Sequence, residues 1–356
     1  MEKNTWNSNL KNTLPLHIPT EFISANQEDS NIQELDQDLQ TQKSCNKEES
    51  FEASELLEQG IQQQQAGDFN GAIKSLQHSL ALFQAYGNHQ KQAKALSCLA
   101  LVAYCSADYK SVISYAQQCL SLAKDIQEQR LQIQALSHLG NAYRHLKNYF
   151  EAVDYLQECL KIAQQLQDTR SQIAAFNNLG LVYKALNNLS KAIEYQEKSL
   201  KLVRQIQDNW GEEQILKNLG NAWYALTNYS KAIKCYEDCM IVSRLLKNNR
   251  TSIQVLKNLG NAYYALGEYK KVIICYEERL QIAKEMQDTR IQEQSLGSLG
   301  VACEALGDYE QAMSYYEERL RIAKAIKNRR SQEQALASLK TACYAMGDYA
   351  RAMNYD

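Results

Sequence analysis

Proline is almost missing from this chain of 356 residues: the two that occur, Pro15 and Pro19, both lie in the first fifty. The proline that commonly closes a helix is therefore unavailable to the rest. Long apolar runs are missing too. The most apolar stretch, Ala95 to Cys105, is too short to span a bilayer. The N-terminus also lacks the apolar core of roughly 7–15 residues that a signal peptide needs. A cytoplasmic location is the default expectation. Neither sign of charge is in excess, with 39 Lys and Arg against 41 Asp and Glu, so no general attraction to nucleic acid or anionic lipid follows. The five histidines, His17, His78, His89, His138 and His145, neither repeat nor cluster, and surface placement is expected for them. No Gly-rich phosphate loop, no His-Glu-x-x-His and no nucleophile elbow occurs. No catalytic residue, metal site, cofactor or small-molecule substrate is expected, and the chain is not read as an enzyme.

The balance of charge hides an asymmetry. Residues 1–52 carry four Lys against ten Asp or Glu, a formal charge of −6, and the remainder carries +4. Residues 1–50 are polar and offer little apolar surface to offset the entropy of ordering, so they are read as a disordered acidic tail. By opposition of charge, residues 21–52 are expected to occupy the binding groove of the remainder when no partner is present.

What is abundant is repetition. Leu-Gly recurs every 40 residues at Leu139-Gly140, Leu179-Gly180, Leu219-Gly220, Leu259-Gly260 and Leu299-Gly300. An aromatic follows in phase at Tyr143, Tyr183, Trp223 and Tyr263, and a second at Tyr109, Tyr149, Tyr229, Tyr269, Tyr309 and Tyr349. Each unit reads as two helices. Ile133, Leu136, Leu139, Tyr143 and Leu146 form one helical stripe, and Val153, Leu156, Leu160, Ala163 and Leu166 the next. Asp168-Thr169 and Asp288-Thr289 offer N-caps, and Lys147-Asn148 a tight turn. A mid-helix Gly costs about 1 kcal/mol against Ala, so its recurrence implies close approach of a neighbouring helix. Ala152, Ala192, Ala232 and Ala312 fit that contact. The cysteines follow the repeat as well: Cys119, Cys159 and Cys239 share one position, which Ser79 and Ser199 fill elsewhere, so small size is what the position requires. Buried free thiols in a reducing compartment fit this pattern better than disulfides. The run Ala95–Ala103 reads as burial between neighbours rather than a partner-binding patch.

Leu-Gly-x-x-Tyr followed by Ala-x-x-x-aromatic, as at Ala232-Tyr236, Val272-Tyr276 and Ala312-Tyr316, resembles the tetratricopeptide repeat family. The resemblance covers residues 51–356, as seven complete helix pairs plus an eighth cut short. It implies an all-α, right-handed superhelical solenoid of antiparallel helix hairpins whose first helices line a concave groove. Two features depart from the family pattern: a period of 40 rather than roughly 34, and the missing proline. Longer helices would absorb the difference. The Asn-Leu-Gly-Asn-Ala-Tyr and Asp-x-Arg elements are similar to Pins/LGN-type adaptors and to bacterial arrays that precede a signalling domain.

Polar residues that avoid the apolar stripe of the first helix coincide in two neighbouring units: Gln214, Lys217, Asn221, Tyr224 and then Gln254, Lys257, Asn261, Tyr264. Each set lies on one helix face. Asn141 and Arg144 extend the line. Asn can pair with a peptide backbone, Lys with a carboxylate, and Tyr gives rigid contact area. A second series, Arg130, Arg170, Arg250, Arg290 and Arg330, recurs near the start of each first helix, interrupted by Trp210 and Gln90. In Pins/LGN-type arrays the corresponding arginines contact acidic partner segments, and the resemblance implies the same here. Lys217-Asn221 and Lys257-Asn261 also resemble part of the carboxylate clamp of co-chaperone domains, whose further cations are replaced by Gln294 and Ser298.

The expectation is thus a non-catalytic scaffold or adaptor that binds an extended, acidic protein segment along the groove, without nucleic acid, membrane or cofactor. The alternative is the sensor half of a larger signalling enzyme that continues beyond Asp356.

Overall fold

The computed structural model describes residues 37–355, with side chains from Phe51 on. The expected disordered tail and its occupancy of the groove fall largely outside these residues. The first helix begins at Gln37, ahead of the boundary placed at Phe51. Two compact units are present, one ending at Leu202 and one starting at Val203. The first holds α1 (Gln37–Ala66), α2 (Phe69–Ala85), α3 (His89–Cys105), α4 (Tyr109–Asp125), α5 (Gln129–His145), α6 (Tyr149–Gln165), α7 (Thr169–Ala185) and most of α8 (Leu189–Gln205). The second holds α9 (Asn209–Ala225), α10 (Tyr229–Leu245), α11 (Asn249–Ala265), α12 (Tyr269–Glu285), α13 (Thr289–Leu306), α14 (Tyr309–Ala325), α15 (Arg329–Met346) and α16 (Tyr349–Ala352), which runs into a 3₁₀ turn. No strand occurs among the described residues, and within each unit consecutive helices pack together. None of these helices is long and apolar enough to cross a membrane.

The turns set the period. Most helices have 17 residues, and three residues join each to the next. Two such steps make the 40-residue unit, which is how the chain departs from the shorter family repeat. After α6, Leu166 continues the last helical turn, Gln167 takes φ +53°, and Asp168 caps α7 by accepting the Ser171 amide at 3.1 Å. The Asp168 amide meanwhile reaches the Ala163 carbonyl at 2.9 Å, so orphan groups of both helix ends find partners within three residues. Gly fills the left-handed position at Gly67, Gly87, Gly267, Gly307 and Gly347; elsewhere Gln, Lys, Asn, Ala or Thr tolerate it, each at a cost of about 1 kcal/mol.

The Leu-Gly positions are points of contact. A Cβ on Gly220 would lie 2.5 Å from the Tyr236 ring, and one on Gly260 2.5 Å from Tyr276. Where Ala100 replaces this Gly, the facing side chain shrinks as well: Ala116 stands there, and both are fully buried in one cluster. The run from Ala95 to Ala103 is mostly buried, as read from the sequence.

The column of Ser and Cys on the second helices asks for more than small size. Ser79, Cys119, Cys159, Ser199 and Cys239 each donate to a first-helix carbonyl: Ala53, Ala93, Ile133, Ile173 and Glu213, at 2.6, 3.2, 3.6, 2.9 and 3.2 Å. The slot therefore selects a small donor. Burial pushes the thiols of Cys119, Cys159 and Cys239 up to about 12, which keeps them protonated and inert.

His138 departs from the surface placement expected of it. It is 6% exposed within α5, at the position that Asn178 and Asn218 take in later units. Desolvation lowers its pKa from 6.5 to about 4. The unfolded chain thus binds the proton more readily than the folded one between those values. The contribution of neutral His138 is full above pH 6.5 and is lost as the pH falls towards 4, by roughly 2–3 kcal/mol. His138→Asn should therefore lose less melting temperature than the parent when both are taken from pH 7 to pH 4.5. Parallel losses would show that His138 titrates normally.

Candidate functional site

In the second unit the two polar sets lie at equivalent places but in different surroundings. Asn221 Oδ1 accepts from Tyr236 Oη at 2.8 Å and from Asn258 Nδ2 at 3.0 Å, which joins α9 directly to α11. Asn261 Oδ1 accepts from Tyr276 Oη at 2.9 Å in the same way. Tyr224 and Tyr264 each meet the Tyr that opens the next helix edge to face, with centroids 5.3 Å apart. The lysines differ. Lys257 is exposed, with Gln254, Asn261 and Tyr264 beside it. Lys217 is 8% exposed and donates to Gln214 at 2.8 Å. Desolvation lowers its pKa. Equal exposure of the two lysines, implied by their matching sequence context, is therefore corrected. Lys217 lies near small Cys239, whereas the slot near Lys257 holds Arg279.

A cavity of about 480 Å³ opens beside α11, α12, α13 and α14. Lys257, Asn261, Tyr264, Gln294 and Ser298 line it, together with two cations from second helices, Arg279 and Arg319. These two occupy the column that elsewhere holds a small donor, and Arg279 Nε still serves the Ile253 carbonyl at 3.2 Å. The clamp resemblance points to further cations on α13, where Gln294 and Ser298 stand, and not to these two on α12 and α14. The break in the Ser/Cys column was the signal, together with Gly297. A Cβ at Gly297 would come within 3.1 Å of the Arg319 guanidinium, so the missing side chain gives that group its room.

Two acidic residues of this unit are buried. Glu213 is fully buried; its Oε2 accepts from Asn248 at 2.9 Å and from Thr251 at 3.2 Å. Glu293, 4% exposed, accepts from Arg319 Nε at 2.7 Å.

Asn141 and Arg144 belong to the first unit. Asn141 is 1% exposed, and neither atom of its amide has a hydrogen-bond partner. Leu156 stands where Tyr236 would supply one, so Asn141 cannot serve as an open contact residue. Arg144 donates to His145 Nε2 at 2.9 Å, and the imidazole stacks on Tyr109 with centroids 4.5 Å apart. Desolvation first, and Arg144 second, lower the His145 pKa to about 4.

Arg130, Arg170, Arg250, Arg290 and Arg330 are all exposed, each the second residue of its first helix. The carboxylate of Asp168 is engaged in capping the Ser171 amide and hydroxyl, and that of Asp288 in capping Ile291. A cation at a helix N-terminus opposes the macrodipole, so helix stability does not account for the series.

Packed helix hairpins, equivalent turns and a polar first-helix face define the class: an all-α repeat protein of the solenoid type. Models described as tetratricopeptide repeat match residues 131–205, 212–285 and 295–330. The chain belongs to the tetratricopeptide repeat family, and the repeat is a protein-interaction scaffold that is generally non-catalytic. No curated protein matches it. Among solved structures it is similar to a Signal Transduction ATPase with Numerous Domains (STAND) protein with a tetratricopeptide repeat sensor from Pyrococcus horikoshii. The TM-score is 0.66 at 18% identity, over 80% of this chain and 43% of that one. The chain thus spans less than half the length of that protein. Apo RapI is similar at TM-score 0.58 and 13% identity, over 78% of this chain and 99% of its own. A Rap protein complexed with Competence and Sporulation Factor is similar at TM-score 0.50 and 12% identity, over 86% and 100%. At these identities the likeness is one of fold.

Proposed function

We propose that the second unit binds an extended, acidic segment of a partner protein, in the cytoplasm, along the first-helix face formed by Gln254, Lys257, Asn261 and Tyr264 and the cavity beside them. The observation that carries this reading is the convergence of Lys257, Arg279 and Arg319 with side-chain amides on one open cavity. Amides can pair with a peptide backbone of any sequence, and the cations select acid. The exposed arginines Arg250, Arg290 and Arg330, which helix stability does not require, support the same polarity of partner. In the first unit Arg130 and Arg170 are placed likewise.

Lys257→Glu is the appropriate test, because Lys217→Glu would put a second carboxylate in the core near Glu213. Quantitative affinity capture with the full chain should recover the native partner at least tenfold less well with Lys257→Glu, a loss of about 1.4 kcal/mol or more. Undiminished recovery would remove this face from consideration. A second reading, supported by the STAND protein, makes the array the sensor part of a longer signalling protein. An open reading frame continuing downstream of Asp356 in the genome would favour it.

A further inference from the structure

The two arginines of the cavity are not equivalent. Arg319 has its charge matched: Nε donates to Glu293 at 2.7 Å and Nη2 to Gln334 at 2.9 Å. Arg279, 4% exposed, has only neutral acceptors: the Ile253 carbonyl at 3.2 Å, Ser295 Oγ at 2.7 Å and Gln294 Oε1 at 3.2 Å. The reason lies one repeat apart in the sequence. The residue that faces Arg319 is Glu293, and its counterpart facing Arg279 is Ile253. A guanidinium carries five N–H donors, and three of those on Arg279 are engaged. A cation this buried is costly unless an anion or a dense set of hydrogen bonds offsets it. Arg279 and the exposed Lys257 line the same cavity.

We propose that this cavity is a carboxylate site, in which Arg279 and Lys257 together receive one carboxylate of the bound segment. The proposal rests on the reading that this face binds a partner, and adds which group is read and by which residue. Two unmatched cations suit a single carboxylate. Glu293, bonded to Arg319, keeps the third cation from attracting a dianion such as phosphate. The carboxylate could be an Asp or Glu side chain or a chain terminus.

The test uses the full chain and three peptides of one neutral sequence: amidated with no carboxylate, amidated with one internal Glu, and with a free C-terminus. Calorimetric titration should show one or both carboxylate forms binding at least tenfold more tightly than the neutral form, and which one does so identifies the source. Arg279→Ser should reduce them to the neutral level. That variant should fold, because Ser79 and Ser199 fill the equivalent slot and donate to the equivalent carbonyl, and an unchanged melting temperature would verify it. Glu293→Gln, which frees Arg319, should raise carboxylate affinity several-fold. Equal binding of all three peptides, wild-type affinity in Arg279→Ser, or displacement by inorganic phosphate in preference to acetate would overturn the assignment. If Arg279→Ser binds as wild type while Lys257→Glu loses the native partner, the face stands and the carboxylate site falls. If the peptides obey Arg279 while Lys257→Glu keeps its partner, the reverse holds.

Discussion

Arg319→Met should lower the unfolding free energy by about 3–5 kcal/mol, because it strands Glu293 as an unpaired carboxylate in the protein interior. Glu293 is 4% exposed and its ion pair with Arg319 is 2.7 Å long, so the variant leaves a buried carboxylate without its cation. Gly297 reinforces the pair, since any side chain there would press on the guanidinium. The physical origin of the loss can be separated from the pair's net worth. The double variant Glu293→Ile with Arg319→Cys reproduces the combination found at Ile133 and Cys159, where the thiol serves the helix carbonyl at 3.6 Å. It should recover most of the stability, because replacing both partners of a buried ion pair by apolar neighbours is often near neutral. Urea denaturation of the two variants would test this. A loss below about 1 kcal/mol in Arg319→Met would mean that the pair behaves as an exposed one.

Tyr236→Ala is expected to cost a similar amount, about 3–5 kcal/mol, through the cavity left by a large side chain. Tyr236 is 1% exposed; its ring fills the space that Gly220 leaves open, and its hydroxyl donates to Asn221 at 2.8 Å. Tyr236→Leu should be milder, since Leu156 occupies the corresponding space against Gly140. Its main loss is the hydrogen bond to Asn221, worth about 1–2 kcal/mol. Gly220→Ala adds a methyl group where the ring already lies and should cost about 1–3 kcal/mol. If Tyr236→Ala and Tyr236→Leu melt at the same temperature, the ring is not the packing element of this hairpin.

Much of this architecture is legible in the sequence because the period is short-range physics. Asp168 and Asp288 cap the helices they precede, and the tight turn read at Lys147-Asn148 is present, with Lys147 at φ +65°. The in-phase Gly residues mark close contacts because nothing but a missing side chain explains Gly inside a helix. The site was legible only in part. Lys257, Asn261 and Tyr264 line the cavity as the repeat suggested. Lys217 and Asn141, chosen by the same argument, are buried. Their fate depends on residues distant in sequence: Cys239 rather than Arg279 near Lys217, and Leu156 rather than a Tyr against the Asn141 helix. His138 is buried for the same reason, since its surroundings come from packing rather than from its own helix.

The sequence by itself determined the helices, their caps, the turns and the register, because each depends on residues within a turn or two of chain and on an unbroken count of forty. Tertiary structure alone decided which polar side chains reach water and which cation lacks an acid. Those outcomes turn on one residue from the next helix, Ile253 in place of a glutamate or Arg279 in place of a cysteine. Charge burial is a property of the assembled neighbourhood, and no local pattern encodes it.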